Sequence, residues 1–436
     1  MTITDQHYDL SVIIPADHEP ESLADLLSKI HAVLDALPIV YETIVAEHQA
    51  DAQTRHVIDE HHALFLDPEE EGYGASLLSG LHHAQGEYVV VIDTDQTDFA
   101  DFLKTLWQAR ESGDVIIASR YVLGGQAVMP IFRVFISKIL NTVFGRGLDL
   151  RVKDMSSAFR LYKTRIVKSI VAESKGYDIL QEVLVKILMG GYQITEIPLV
   201  YRPRSNHAAL ARTARFGAAY LKTFSRLWKL RNSIASADYD ARAYDALMPP
   251  QRYWQRQRYK HITEMHKGQG KCLDVGCGSS KIMETLPPGS VVIDILLRKL
   301  RFSRKYGQFN VQGSIFELPI SDQSFPCVIC SQVIEHVPRA NVLDELDRTL
   351  QPGGYLILGT PDYAKWQWRT IEALYKIILP QAYADEHITH YTYDELIGEY
   401  VTKRGYKLEA VKYILQGELI LGLRKPKAAP TLPPPY

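Results

Sequence analysis

Two short segments hold residues able to bind phosphates and a cofactor. In VVVIDTD (89–95) an apolar run leads straight into Asp93 and Asp95, spaced i, i+2. Where a chain leaves the regular pleat of a strand, both carboxylates reach one divalent cation, Mg²⁺ or Mn²⁺, bound through oxygen and bridging a nucleotide's diphosphate. The cation would offset charge on a leaving nucleoside diphosphate. Two solvent-facing acids at a strand end give the same bare motif. In LDVGCGSS (273–280) Gly276 and Gly278 permit a tight turn and close backbone approach to a ligand. VVID (291–294) then ends in Asp294, an acid placed to accept hydrogen bonds from two ribose hydroxyls. That pattern does not by itself choose NAD over S-adenosylmethionine.

These segments need strands ending at one sheet edge. LSVIIPA (10–16), YETIVAE (41–47), EYVVVIDTD (87–95) and DVIIASR (114–120) read as strands, with helical periodicity in 21–37, 102–110 and 179–190. Apolar strands alternating with amphipathic helices predict a largely parallel sheet covered on both faces. A second alternation starts at Lys271, with KCLDVG, SVVID, SFPCVICSQV and YLILGTP as strands and KIMETL as a helix start. The fold class is therefore α/β in two tandem domains. The divisions expected are 8–232, a connector over 233–262, 263–424, and a proline-rich disordered tail over 425–436.

The 436 residues carry a formal net charge of −2, which together with the lack of a nucleic-acid motif argues against nucleic acid as a partner. Cys327 and Cys330 form a CxxC inside an apolar run. That favours buried strand residues over zinc or redox chemistry. The start of the sequence does not read as a signal peptide and no segment reads as a membrane span, so the cytoplasm is expected. Residues 209–230 place Arg212, Arg215, Lys222, Arg226 and Lys229 at helical spacing. This is either a basic amphipathic helix in peripheral contact with the inner face of a membrane, or a helix packed on its domain with a solvated basic face.

The second alternation resembles the class I S-adenosylmethionine-dependent methyltransferases, particularly the ubiquinone/menaquinone type. The likeness rests on DVGCG, VQGSIFELPISDQSFPCVICSQVIEHV (311–337), LDELDRTLQPGGYLILGTPD (343–362) and HITHYTYDEL (387–396). It implies a Rossmann-like fold and S-adenosyl-L-methionine as cofactor. Asp274 would be among the cofactor-binding residues, Gly276 and Gly278 would lie at the methionine part, Asp294 at the ribose, and Ser314 and Ile315 at the adenine. Gln332, Glu335 and His336 would face the cofactor or acceptor. Serine stands at 314 where the family often has an acid, and its hydroxyl accepts the same bond more weakly. Methyl transfer needs alignment more than a dedicated acid. For a hydroxyl acceptor, His387 or His390 would serve as base; surface or capping histidines are the alternative.

The first half resembles family 2 glycosyltransferases, within them the dolichyl- or polyprenyl-phosphate sugar synthases. The residues are SVIIP (11–15), GYGASLLSGL (72–81), the DxD, DVIIASRY (114–121) with Gly124 and Gly125, Arg133, Asn141, DMSSAFRLY (154–162), GYD (176–178) and GYQITEIP (191–198). The resemblance implies a GT-A fold and a UDP- or GDP-type nucleotide sugar, with a polyprenyl-phosphate or glycan acceptor. Asp93 and Asp95 would hold the metal, with Pro15, Glu19, Glu47 and Gly74 beside the nucleotide sugar and Arg120 and Arg133 on phosphate. The family's VDDGS is VAEHQ here, and Ala158 replaces a signature glycine. Two functions follow: a bifunctional sugar- and methyl-transferring enzyme of a glycan or lipid pathway, or a methyltransferase with a non-catalytic, glycosyltransferase-like recognition module.

Overall fold

The computed structural model describes the backbone of residues 7–94, 100–128, 131–202, 209–246, 248–378 and 387–427, and their side chains except at 132, 133, 136, 209–218 and 374–378. The chain divides into two compact units, Met1–Arg231 and Asn232–Tyr436. Among the described residues no helix is long and apolar enough to cross a membrane.

The front unit contains β1 (Leu10–Pro15), β2 (Tyr41–Ala46), β3 (Leu64–Leu66), β4 (Tyr88–Val91), β5 (Val115–Ser119), β6 (Gln126–Ala127), β7 (Arg160–Lys163), β8 (Ile194–Pro198) and β9 (Val200–Tyr201). Seven form one sheet in the order β3-β2-β1-β4-β7-β5-β8, with β6 and β9 paired apart. All neighbours in the seven-stranded sheet are parallel except β7, which runs antiparallel to β4 and β5. Alternate residues feed two cores. Val12, Ile14 and Val90 pack on one face, and Ile13, Val89 and Val91 on the other, as a doubly covered sheet requires.

The back unit contains β10 (Cys272–Val275), β11 (Val291–Asp294), β12 (Phe309–Gln312), β13 (Phe325–Ser331), β14 (Leu350–Pro361), β15 (Lys407–Ile414) and β16 (Glu418–Arg424). They order as β12-β11-β10-β13-β14-β16-β15, with β16 antiparallel to both β14 and β15. Cys327 and Cys330 are fully buried free thiols on β13, as the apolar run predicts.

Two expectations change. First, residues 233–262 are not a connector. They form helices Tyr239–Tyr244 and Pro249–His266, inside the back unit. Trp254 and Ile262 join the core beneath β10 and β13, and the Trp254 indole N–H and the Arg258 fork both bind the buried Glu418 carboxylate. Second, KIMETL starts no α-helix, since Lys281–Thr285 is a 3₁₀ turn. Of the two alternatives for the basic stretch, the described part fits the packed one: it is one helix, Ala209–Arg231, and its C-terminal half packs on the front unit. Leu227 is buried, Phe224 meets Gly147, Arg231 is buried against the Leu148 carbonyl, and Arg226 pairs with Glu173 and the buried Glu182. Lys222 and Lys229 are exposed, while the side chains of Arg212 and Arg215 lie outside the described residues.

Trp254→Ala removes a large side chain from a closed core, so it should destabilise the back unit by about 3–5 kcal/mol. The urea midpoint of the whole chain, followed by intrinsic fluorescence and far-UV circular dichroism, checks this. A surface segment would give a change within about 0.5 kcal/mol.

Candidate functional sites

In the front unit β1, β2 and β4 are adjacent and parallel, so their C-terminal ends share one edge. Pro15 closes β1, Glu47 follows β2 and Asp93 follows β4. Glu19 reaches the same edge, where its carboxylate accepts a hydrogen bond from the Thr94 hydroxyl at 3.2 Å. Open α/β sheets bind ligands at that edge. Asp93 accepts from the Tyr73 hydroxyl at 2.8 Å, and Tyr73 stacks on Tyr177 with ring centroids 4.1 Å apart. Burial and the Asp93 charge push the Tyr73 phenol well above its ordinary range, so it stays a donor. Asp95 lies outside the described residues, as does the Arg133 side chain.

Glu47 is buried, and the His18 backbone N–H and ring nitrogen both approach its Oε1, at 3.1 and 2.9 Å. Burial raises its carboxyl, against the pull of His18, and Oε2 has no hydrogen-bond partner. A substituted acid thus stands at this sheet edge with one oxygen buried and unpaired.

Two expected ligand residues have other work. The Arg120 guanidinium is bound by Asp154, with Nε to Oδ2 and Nη2 to Oδ1 both at 2.7 Å, and Nη2 also reaches the Ser156 hydroxyl at 2.7 Å. Asp154 is fully buried and also accepts the backbone N–H groups of Arg120, Ser156 and Ser157. Burial alone would raise this carboxyl, but Arg120 outweighs it and holds it below its ordinary range. Arg120 still lines a small pocket of about 100 Å³ with Asp93, Ala158 and Tyr177. Gly74 is buried at the N-terminus of helix Tyr73–His83, where a Cβ would stand 2.5 Å from the Ser174 carbonyl oxygen. Backbone packing requires that glycine.

In the back unit β10, β11 and β13 are adjacent and parallel, and Gly276, Asp294 and Gln332 lie at their C-terminal ends. Gly276 and Gly278 have φ of +71° and +56°, a conformation that glycine adopts without strain. A Cβ on Gly276 would meet Val333 at 2.3 Å. Asp294 accepts the Gly278 and Leu296 backbone N–H groups at 2.9 and 2.8 Å. Each oxygen keeps a lone pair for a ribose hydroxyl. Asp274 is buried on β10, and burial, with Cys272 and Asp294 adding to it, pushes it up to about 7. The Ser314 hydroxyl accepts the Phe316 N–H at 3.3 Å, and Ile315 is buried beside it. The glycine turn and strand-end acid fit S-adenosylmethionine.

Sequence reasoning missed Asp240. From helix Tyr239–Tyr244 its Oδ2 takes the Ser279 backbone N–H at 3.0 Å, the Ser279 hydroxyl at 2.9 Å and Lys299 at 3.2 Å. A Cβ on Gly278 would come 2.7 Å from the same oxygen. Burial opposes ionisation there, but Lys299 and Ser279 drop the carboxyl to about 2. No motif marks this residue, which is 38 positions from Gly278. Beyond Gln332, whose φ is +60°, Glu335, His336 and His387 bring their ligand atoms within 4.8 Å of one another. Glu335 is fully buried, Oε2 accepts from the Thr360 hydroxyl at 3.2 Å, Oε1 has no hydrogen-bond partner, and burial pushes the carboxyl up to about 8. His387 Nδ1 lies 2.6 Å from the Tyr363 hydroxyl, whereas His390 is exposed and stacks on the Tyr363 ring.

Residues 11–171 match the family model Glycosyl transferase family 2, and residues 273–358 match the family model Methyltransferase domain. The chain is similar to the low-salt glycan biosynthesis hexosyltransferase Agl6 of Haloferax volcanii, 28% identical over 46% of this chain and 49% of that protein. It is also similar to the dolichol-phosphate mannosyltransferase of Pyrococcus furiosus, 30% identical over 52% of this chain and 65% of the relative. The chain thus spans about half to two thirds of the length of these relatives. Among solved structures, an S-adenosylmethionine-dependent methyltransferase of Thermotoga maritima aligns with a TM-score of 0.33 and 19% identity, covering 39% of this chain and 91% of that one. A family 2 glycosyltransferase domain and a methyltransferase domain are therefore joined in one chain.

Removing one partner of a buried ion pair strands the other, so Asp154→Ala should cost about 3–5 kcal/mol in the front unit, read by urea denaturation. A change below about 1 kcal/mol would mean that Arg120 finds other partners. Glu335 stabilises the back unit as a neutral acid. Its contribution is whole below the ordinary carboxylate range and is lost as pH rises towards 8. Between pH 5 and pH 8 the wild-type urea midpoint should fall more than that of Glu335→Gln. Equal slopes would rule out the buried neutral acid.

Proposed function

We propose that this chain, a family 2 glycosyltransferase domain joined to a methyltransferase domain, is a bifunctional enzyme. In this reading the front unit transfers a sugar from a UDP- or GDP-type nucleotide sugar to a polyprenyl-phosphate or glycan acceptor. The back unit methylates a small-molecule acceptor of the same glycan or lipid pathway, using S-adenosyl-L-methionine. The observation that carries it is the convergence of Pro15, Glu19, Glu47 and Asp93 on one sheet edge. The relatives' activities, hexosyl transfer and mannosyl transfer to dolichol phosphate, support the same class.

The divalent cation would be held by Asp93 with Asp95, its Lewis acidity stabilising the nucleoside diphosphate as the sugar leaves. Tyr73 keeps Asp93 aimed through a hydrogen bond that a carboxylate shares with a metal without loss. A phosphate acceptor is already an anion and needs no base, whereas a hydroxyl acceptor does.

In the back unit Gly276 and Gly278 would let the methionine part approach, Asp294 would hold the ribose, and Ser314 with Ile315 would flank the adenine. The bound cofactor supplies an electrophilic methyl group. Gln332, Glu335 and His336 border the place where an acceptor would lie. His387, fixed by Tyr363, is better placed than His390 to take a proton from a hydroxyl acceptor.

The Glu47 and Ala158 substitutions favour a second reading, in which the front unit only recognises a glycan or lipid. Calorimetric titration of the whole chain with UDP and GDP, each with Mn²⁺ and again with EDTA, separates the two. Metal-dependent micromolar binding, about −8 kcal/mol, is expected for one nucleotide and should be lost in Asp93→Ala. S-adenosylhomocysteine binding, unchanged in that variant, shows that the protein is intact. No nucleotide binding with S-adenosylhomocysteine still bound would leave the recognition module.

A further inference from the structure

Helix Ile131–Gly147 carries Lys138, Asn141, Thr142, Gly145 and Arg146 at three- to four-residue spacing, so they share one face. That face, Arg151 and Lys153 from the following segment, and the turn from Arg120 to Gly125 wall a cavity of about 540 Å³. Five of its lining residues are basic and none is acidic. Arg120 is neutralised by Asp154. Glu196, behind the wall, accepts the backbone N–H groups of Lys153 and Asp154. Among the described residues, Lys138, Arg146, Arg151 and Lys153 have no carboxylate in ion-pair contact, and all four are exposed. Like charges gathered round one concavity repel each other and focus a positive potential that an anion relieves.

The shape of this set argues for more than one phosphate group. Two guanidinium forks and two ammonium groups line it, Lys138 and Arg146 from the helix and Arg151 and Lys153 from the segment after it, and each fork matches two oxygens of one phosphate. The cavity far exceeds a single phosphate in volume. Arg120 also lines the smaller pocket that contains Asp93, so the two spaces meet at one side chain.

We propose that the cavity walled by Lys138, Arg146, Arg151 and Lys153 binds a diphosphate, as the recognition handle of the acceptor. The handle is held while another group of the acceptor is presented towards Asp93. The word acceptor rests on the sugar-transfer reading of the front unit, but binding of the diphosphate does not. The diphosphate belongs either to a lipid headgroup or to a soluble molecule.

The test titrates the whole chain with inorganic pyrophosphate and with inorganic phosphate, in EDTA, so that a cation at Asp93 plays no part. Pyrophosphate should bind at least about tenfold more tightly than phosphate, and Lys138→Gln/Arg146→Gln should lose about tenfold or more of it. The charge-keeping pair Lys138→Arg/Arg146→Lys should retain it, which separates charge from folding. Equal affinities for the two anions, an unaffected glutamine variant, or pyrophosphate binding only with Mn²⁺ would each overturn the proposal. Flotation with phosphatidylcholine vesicles carrying a polyprenyl diphosphate, against vesicles carrying the monophosphate, then identifies the source. Selective flotation supports a lipid handle. Pyrophosphate binding without selective flotation supports a soluble one. Failure of pyrophosphate with UDP–Mn²⁺ or GDP–Mn²⁺ binding intact sinks the cavity alone. Loss of nucleotide binding with pyrophosphate retained sinks the sugar-transfer reading alone.

Discussion

The buried carboxylate of Asp154 is the fixed point of the front unit. It sits where β7 enters the sheet against the direction of its neighbours, and the chain there must turn without regular pairing. Asp154 satisfies that turn by accepting three backbone N–H groups and the Arg120 fork. Ionising a carboxyl at zero exposure is unfavourable unless a cation and several donors surround it, and here they do. One interaction thereby ties the end of β5 to the entry of β7. The walls of both front-unit pockets follow from it, because Arg120 belongs to each.

The back unit solves a related problem differently. Its glycine turn needs left-handed φ values and leaves amides pointing inward. Those amides are answered by acids from two sources, Asp294 on the adjacent strand and Asp240 on a helix well upstream. The turn is thus held from both sides before any ligand arrives, which is the preorganisation that alignment-driven chemistry needs.

Much of this was legible in the sequence, for a physical reason. Strands buried on both faces read as continuous apolar runs, so β1, β4, β5, β10 and β13 show themselves. Glycines that require positive φ and acids at strand ends are local features, so Gly276, Gly278, Asp93 and Asp294 do too. What stayed hidden depends on contacts between distant positions. Helix Pro249–His266 is polar over most of its length, and its buried apolar residues Trp254, Ile262 and Met265 are too sparse to mark a core helix. The grip of Asp154 on Arg120, 34 positions away, was hidden because nothing local shows it. The packing of Gly74 on the Ser174 carbonyl was hidden too, because a glycine needed for packing and one needed for a ligand are the same letter.

Asp240 also bears on how such a domain is copied and reused. The recognisable methyltransferase pattern spans residues 273–358, yet the residue that braces its glycine turn lies outside that span, as do Trp254 and Arg258. The portable unit, whether recombined by gene fusion or grafted by design, is therefore longer than the motif by which it is found. A splice at the motif's edge would carry the letters of the glycine turn and leave its brace behind.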